Sequence, residues 1–214
     1  MPENLTTLTT RIRAQLIDDG TLFSTATCTA AVRQALQLFN QAAPVYAVAL
    51  VDVVSGQLEY ELDAVNFPGL LDILDVLEYD ALAYDHRPVS FVGYWEDNLP
   101  WVRLTAPAGS AQLLVSYTVP HTVDGLDGET VSTMTTGQDQ VLVDGACAAA
   151  IHIRAASRVE TINLAPDVVE RYRLSAGHFE AVFNLGLVRY AGRPAARLAP
   201  DTRAWNDTWH TWDQ

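Results

Sequence analysis

Residues 44–62 read PVYAVALVDVVSGQLEYEL, and along them the chain changes from a helical to an extended pattern. The first half is a run of β-branched, aliphatic and aromatic residues, and the second half alternates polar and apolar residues. Both patterns are typical of β-strands. Ser55 and Gly56 lie between the two halves and indicate a turn, so we expect a β-hairpin over residues 45–62.

Upstream of this stretch, the first 43 residues have the period of two amphipathic helices. Apolar side chains recur three and four positions apart in both segments. Asn4 is the expected N-cap of the first helix, Ser24 or Thr25 that of the second, and Pro44 ends the pair. Neither helix is polar enough to stand alone, so both need a partner surface.

Downstream, short extended segments continue at regular spacing. They lie at residues 73–79, 88–94, 101–104 and 112–119. The last two flank an Ala-Pro-Ala-Gly turn, which predicts a second hairpin over residues 101–119. Five or six strands spaced in this way predict a small antiparallel sheet or sandwich. We expect residues 121–139, rich in Gly, Thr and Asp, to form an extended loop.

The helical period returns near Asp144. The following GACAAAI is a segment of small residues, which lets another backbone approach closely and predicts a central helix. Pro166 marks the first turn of a long last helix. After the Gly-Arg-Pro at residues 192–194, the core pattern stops.

These elements predict an α+β fold in which a β insertion interrupts a helical domain. We expect residues 1–43 and 140–190 to form an antiparallel helical bundle, since this hides the four apolar stripes most simply. Residues 44–139 form the acidic β-sheet or sandwich insertion, and residues 191–214 form an extended C-terminal tail.

Charge is distributed unevenly along the chain. The sequence has 26 acidic residues against 13 arginines, a net charge of −13. Residues 44–137 hold fourteen of the acids and two arginines, whereas acids and arginines balance from residue 141 to the end. A surface of this charge repels nucleic acid phosphates and argues against adhesive DNA or RNA binding. It serves either solubility or proximity to a polyanion without attachment to it.

No motif for catalysis or for metal binding is present. The five histidines have no metal-ligand spacing, and HExxH, GxSxG, phosphate-loop and dinucleotide signatures are missing. We therefore expect no enzyme activity, no metal site and no cofactor. Residues 124–129 faintly resemble a calcium loop, although turn formation explains them better. Cys28 and Cys147 are expected to be core residues. The longest apolar run, residues 45–51, is far shorter than a membrane helix of about 20 residues.

The C-terminal tail carries an unusual group of tryptophans. Trp205, Trp209 and Trp212 are spaced by four and three positions, as on one face of a helix. Either the tail folds back and the three rings complete the core, or it anchors the chain to another protein.

Three stretches of the chain follow one another in a characteristic order. Residues 8–44 hold a short helix, an Asp pair, a Ser/Thr-capped second helix and a closing Pro. Residues 90–123 hold β elements around a central Trp, and residues 140–187 a Gly/Ala-rich helix followed by a long amphipathic one. In this order and texture the chain resembles the head-to-tail adaptor (connector) proteins of tailed bacteriophages and related tailed viruses.

The resemblance implies a structural virion protein. Such adaptors form a ring, usually of twelve copies, beneath the portal protein; the ring connects the capsid to the tail and lets double-stranded DNA pass without specific binding. The implied partners are the portal, neighbouring copies of the chain, and stopper or tail proteins below, with no membrane. The chain would reside in the virion neck after assembly in the host cytoplasm, and we expect it to be monomeric or weakly associated in isolation.

The resemblance also suggests site residues, by position and character only. A C-terminal extension often grips the portal, so the candidate anchor residues are Trp205, Trp209 and Trp212. The candidate acidic residues at the DNA channel or its rim are Asp124, Asp127, Glu129, Glu96 and Asp97.

Two other functions compete with the adaptor. A head-completion stopper or tail-completion protein occupies a neighbouring position in the particle, but it would be mostly β, against the four helical stripes. A carbohydrate- or protein-binding β module would use Trp95 and Trp101, which flank the expected loop tip Glu96-Asp97-Asn98. Such a platform requires both rings to be exposed on the sheet.

Overall fold

The computed structural model describes residues 3–18, 20–80, 85–159 and 166–191. The chain divides into two compact units. The helical unit comprises Met1–Ala43 and Val123–Gln214, and the β unit comprises Pro44–Thr122. The structure therefore has the predicted α+β class, with four helices and antiparallel sheets.

The helical unit contains α1 (Leu5–Gln15), α2 (Thr25–Ala42), α3 (Thr136–Val159) and α4 (Pro166–Ala191). Both predicted N-caps are confirmed. The side chain of Asn4 accepts a hydrogen bond from the Thr7 N–H, and that of Ser24 accepts one from the Thr27 N–H. These caps satisfy backbone donors that have no partner within the first helical turn.

Helix α3 is the central element of this unit, as its small residues predict. It packs against α1, α2 and α4, and Ala146, Cys147 and Ala150 are fully buried. A Cβ atom added to Gly145 would lie 2.7 Å from the Phe183 ring on α4, so only glycine permits this approach. Both cysteines are free and buried as expected, and burial raises the pKa of the Cys147 thiol to about 12.

The segment before α3 belongs to the helical unit rather than to the β unit. Val123, Leu126 and Met134 are buried in the helical core, whereas the predicted insertion continued to residue 139. The expected loop is also shorter than predicted, because α3 already begins at Thr136. Gln138 explains this start, since its side-chain oxygen accepts a hydrogen bond from the Thr135 N–H at 2.8 Å, as in a capping box.

The described residues of the β unit form seven strands in two sheets. The strands are β1 (Val45–Asp52), β2 (Glu59–Glu61), β3 (Asp72–Asp80), β4 (Asp85–Pro88), β5 (Phe91–Glu96), β6 (Leu99–Leu104) and β7 (Gln112–Val119). One sheet has the order β1-β7-β3-β4 and the other the order β2-β6-β5. Buried side chains of both sheets, among them Tyr60, Val102 and Val115, form one core, which makes the unit a small sandwich.

Both predicted hairpins are wrong. Strand β1 pairs with β7 over eight residues, and β2 pairs with β6 in the other sheet, so residues 45–62 are not a hairpin. Likewise, β6 and β7 lie in different sheets. Gly56 does form a turn, with a φ of 81°, but the chain crosses there to the second sheet. Crossing allows the apolar faces of both sheets to share one core, which a local hairpin would not achieve.

Strands β5 and β6 form a true hairpin. Its two-residue turn consists of Asp97 and Asn98, whose φ angles of 51° and 65° are both left-handed. Asp and Asn tolerate this conformation better than most residues, and it matches the twist of the flanking strands. The expected loop tip between the two central tryptophans is therefore confirmed. None of the described helices is long and apolar enough to cross a membrane.

Candidate functional site

The β unit presents an acidic surface with little compensating charge. Residues 44–122 contain eleven acidic residues and two arginines, a net charge of −9. Of the nine acids whose side chains the structure describes, seven are exposed: Asp52, Glu59, Glu61, Asp72, Asp75, Glu96 and Asp97. The guanidinium of Arg103 lies 3.6 Å from the Glu59 carboxylate, and both side chains are largely in solvent. A pair of this kind offsets little of the negative charge.

Strand alternation explains why these acids point outward. On β2, Glu59 and Glu61 are exposed on either side of Tyr60, which is buried in the sandwich core. Successive side chains of a strand point to opposite faces, so a buried Tyr60 places both carboxylates on the outer face. The acidic surface is thus a product of the sandwich itself.

The five acidic rim candidates fall in two different units. Glu96 and Asp97 lie at the tip of the β5–β6 hairpin, whereas Asp124, Asp127 and Glu129 belong to the helical unit. Glu96 and Asp97 therefore form one candidate group in the β unit, and Asp124, Asp127 and Glu129 form another in the helical unit.

The three acids of the helical unit lie in a tight turn. The Leu5 N–H donates to the Asp124 carbonyl at 2.9 Å, and the Gly125 N–H donates to the Glu129 carbonyl at 2.8 Å. The Nε of Arg33 donates to both Asp127 carboxylate oxygens at 2.9 and 3.1 Å, and this hydrogen bonding lowers the pKa of Asp127. Asp127 is therefore paired within its own unit. Among the described residues, no group of three or more His, Cys, Asp or Glu is placed to hold a metal ion.

A groove with aromatic and acidic side chains runs along the β5–β6 hairpin. Its volume is 870 Å³. The residues that line it are Leu58, Glu59, Val92, Tyr94, Trp95, Glu96, Arg103, Leu104 and Thr105. Burial, followed by the nearby charges of Glu59 and Glu96, raises the pKa of Tyr94. The aromatic hydroxyl and the two carboxylates therefore share one negative environment.

Strand pairing builds this groove from residues that are distant in sequence. Glu59, Arg103 and Val92 form one cross-strand row, and Glu61, Trp101 and Tyr94 form the next. Sequence reasoning had singled out Trp95 and Glu96 here, but it missed the contributions of Tyr94 and Arg103. Tyr94 and Arg103 come together through the pairing of β5 with β6, and Glu59 joins them through the pairing of β2 with β6, which the predicted hairpin of residues 45–62 excluded.

Trp95 and Trp101 do not form a common platform. Trp95 is 58% exposed. Trp101 is half-buried and stacks on Tyr94, with ring centroids 6.4 Å apart, and its indole nitrogen is buried without a hydrogen-bond partner in the described part of the chain. Trp101 pairs with Tyr94 across the hairpin and Trp95 with Pro100, so the two indoles belong to opposite strand faces. The geometry thus disfavours a sugar platform built from both rings.

A second polar group lies inside the helical unit, at the start of α3. Asp139 is fully buried, and it accepts a hydrogen bond from the Glu3 N–H at 3.3 Å through one carboxylate oxygen. Its other oxygen has no partner among the described residues. Burial raises the pKa of Asp139. The anchor candidates Trp205, Trp209 and Trp212 lie outside the described residues.

Comparison with known proteins finds similarity among solved structures. No protein-family model and no curated protein sequence matches the chain. Among solved structures, the chain is similar to a chain of the "Neck of empty GTA particle computed with C6 symmetry", with 10% identity and a TM-score of 0.29. That match covers 58% of this chain and 66% of the neighbour.

A second solved structure is the "Neck of native GTA particle computed with C12 symmetry". Its identity is 12% and its TM-score 0.30, and the match covers 80% of this chain and 91% of that one. TM-scores of this size leave the function to be argued from the residues of the chain itself.

Proposed function

We propose that this chain is a structural virion protein, a head-to-tail adaptor. Copies of it form a ring, usually of twelve, beneath a portal protein, and the ring connects the capsid to the tail while double-stranded DNA passes through. The proposal assigns no catalytic activity, cofactor or membrane to the chain. It places the chain in the virion neck, after assembly in the host cytoplasm, with stopper or tail proteins below.

The uncompensated charge of the folded β unit carries this proposal. Its net charge of −9 is displayed outward, as the seven exposed acids show. DNA moving past such a surface meets repulsion from its phosphates instead of the counterion-releasing contacts that basic side chains provide. An acidic wall or rim therefore suits a conduit in which DNA must not stick.

The order of the units along the chain also supports the proposal. Helices α1 and α2 precede the β unit, and α3 and α4 follow it, so the sandwich is an insertion in a helical unit. The sequence resemblance to adaptor proteins implies this arrangement. Four helices argue against a stopper or tail-completion protein, which would be mostly β.

Within this proposal, the candidate residues of the rim and of the anchor are supported by different observations. Glu96 and Asp97 are exposed at a hairpin tip and suit a rim. Asp124 and Glu129 remain candidates for the rim, whereas the Asp127 carboxylate already accepts hydrogen bonds from Arg33. We assign Trp205, Trp209 and Trp212 to portal anchoring, because Trp is strongly enriched where interfaces concentrate their binding energy.

Co-expression with the portal protein of the same particle tests the role. The full-length chain and a chain ending at Gly192 are each purified with the portal and imaged by electron microscopy. If only the full-length chain adds a second ring to the portal, both the adaptor role and the tail anchor are supported. If both chains add a ring, the adaptor role is retained but the tail is not the anchor. If neither chain adds a ring, the proposal is overturned.

The charge argument has a test of its own. Replacing the exposed residues Asp52, Glu59, Glu61, Asp72, Asp75 and Glu96 with Lys leaves the buried core untouched and changes the net charge of the β unit from −9 to +3. In an electrophoretic mobility assay at low salt, the unmodified chain should not retain duplex DNA, whereas the variant should bind it with a strong salt dependence. Retention of DNA by the unmodified chain would remove the observation that carries the proposal.

A further inference from the structure

The groove on the β5–β6 hairpin combines charged and aromatic side chains that the passage of DNA does not require. Its charged side chains are Glu59, Glu96 and Arg103, and its rings are those of Tyr94 and Trp95. A volume of 870 Å³ is in the range of about 300–1,000 Å³ that is common for ligand sites. All the lining residues lie in the β unit, so the groove is complete without any other part of the chain.

The charged side chains of the groove indicate that its ligand is positively charged. Two carboxylates face one guanidinium in the groove, and Glu61 follows Glu59 on the same strand face. The Arg103–Glu59 pair is loose at 3.6 Å, with side chains that are 62% and 49% exposed. Another guanidinium can compete for Glu59 at little cost, because such an exposed pair contributes little. An anion, in contrast, would be repelled.

The aromatic side chains favour the same kind of ligand. The Tyr94 ring lies on the same strand face as Glu59, Val92 and Glu96, and a cation over the face of a phenol is attracted by the ring quadrupole. Val92 is 58% exposed and offers apolar surface for the alkyl stem of a long basic side chain. Rings, carboxylates and an apolar strip together match an arginine side chain.

The position of the groove indicates an extended segment. Among the described strands, β5 pairs only with β6 and is an edge of its sheet, so its outer edge carries backbone N–H and C=O groups with no described strand beside them. An extended peptide can lie along such an edge and place alternate side chains in a groove.

We propose that this groove binds an extended, arginine-containing segment of a protein partner. A guanidinium stacks on the Tyr94 ring and pairs with Glu59 or Glu96, which share its strand face, while Trp95 borders the groove from the other face of edge strand β5. The proposal stands independently of the adaptor role, since it rests on the β unit alone.

An NMR titration of the full chain in 0.15 M NaCl tests it. The probe is the hexapeptide acetyl-(Arg-Ser)₃-amide, and the control peptide has citrulline in place of arginine, which keeps the shape and removes the charge. We expect a saturable shift of the Trp95 indole N–H with the arginine peptide only. Tyr94→Leu should weaken binding about tenfold, the effect of losing a stacked cation of roughly 1.4 kcal/mol.

Matched charge variants separate a site from general attraction to an acidic chain. Glu59→Gln should weaken binding several-fold, while Glu129→Gln, the same change in the helical unit, should leave it unchanged. Circular dichroism confirms that each variant is folded. Equal effects of the two variants, or equal binding of the citrulline peptide, would overturn the proposal.

Two further outcomes would also overturn it. One is the absence of any Trp95 shift at millimolar arginine peptide. The other is a Trp95-dependent shift with a neutral oligosaccharide such as cellohexaose and none with the peptide, which would instead establish a glycan site. Ring formation on the portal is measured separately, so neither result bears on the adaptor role.

Discussion

In the helical unit, fifteen acidic residues are opposed by eleven arginines, whereas the β unit sets eleven against two. Arginines of the helical unit form close ion pairs, such as Arg11 with Glu3 at 2.6 Å and Arg33 with Asp127 at 2.5 Å. In the β unit, Arg103 meets Glu59 only at 3.6 Å. The helical unit thus neutralises much of its own charge, and the β unit displays its charge to solvent.

The two units also differ in how closely their elements approach. In the helical unit, glycine and alanine on α3 allow α4 to pack at short distance, as Gly145 and Phe183 show. In the β unit, larger side chains such as Tyr60 and Leu104 fill the space between two sheets. Added side-chain volume should therefore lower stability most in the helical unit. Substitutions that change charge in the β unit should mainly alter binding.

The largest expected effect is the loss of a buried ring from the helical core. Phe39 on α2 is fully buried, and Phe39→Ala should lower the free energy of unfolding by about 3–5 kcal/mol. The neighbouring Leu38, which is 45% exposed, provides the control, and Leu38→Ala should cost less than about 1 kcal/mol. Urea denaturation followed by circular dichroism measures both. Similar losses for the two variants would contradict the assignment of the core.

A smaller effect is expected where α3 and α4 approach. Gly145→Ala places a Cβ atom 2.7 Å from the Phe183 ring, and we expect a net loss of about 1–2 kcal/mol after the gain in helix propensity. Gly177→Ala on α4 meets no atom within 4 Å and should stabilise the chain by up to about 1 kcal/mol. Thermal melting of the two variants should give shifts of opposite sign, and a stabilising Gly145→Ala would refute the close packing.

A pH-dependent effect is expected at Asp139. Burial raises the pKa of this carboxyl, so the folded chain holds its proton more tightly than the unfolded chain does. Its contribution to stability is therefore complete below the ordinary pKa of 3.8 and is lost as the pH rises through the folded-state pKa. Asp139→Asn should thus stabilise the chain at pH 7 and lose this advantage in acid.

Asp127 provides the control of opposite sign. Hydrogen bonding to Arg33 lowers its pKa, so its contribution to stability is present at neutral pH and is lost as the pH falls through the folded-state pKa. Asp127→Asn should therefore destabilise the chain at pH 7. Denaturation curves between pH 3 and pH 7 test the pair, and parallel pH profiles of the two variants would contradict the assignments.

The smallest effect is expected in the β unit. Arg103→Ala removes a loose, exposed ion pair and should change the free energy of unfolding by less than about 0.5 kcal/mol. The substitution should instead strengthen binding of the arginine peptide, because Glu59 becomes free to pair with a ligand guanidinium. A loss of stability above 1 kcal/mol would show that Arg103 holds the sheet together.

Local signals predicted most of the elements. Strand β7 lies at the predicted residues 112–119, and the caps at Asn4 and Ser24 are as expected. These features depend on contacts within a few residues, which composition and spacing record directly. The start of α3 was missed although Thr135 and Gln138 carry a local capping signal.

Pairing between strands was not predictable in the same way. The alternation of residues 57–62 indicates a strand but not its partner, and the adjacent β1 was the nearest choice. The structure instead pairs β1 with β7 and β2 with β6, because the two sheets must turn their apolar faces to one core. The groove depends on this choice, since Glu59 meets Arg103 only through the pairing of β2 with β6.

Charge and element type are therefore properties of the linear chain. The net charge of −9 of residues 44–122 exists before folding, and so do the helical and extended periods. Which acids face solvent, which arginine neutralises Asp127, and which strands bring Tyr94 to Glu59 were decided by tertiary structure. The physical reason is that strand pairing and burial bring together residues that are far apart in sequence. Many strand pairings satisfy the local pattern equally well, and only the formation of a shared core selects among them.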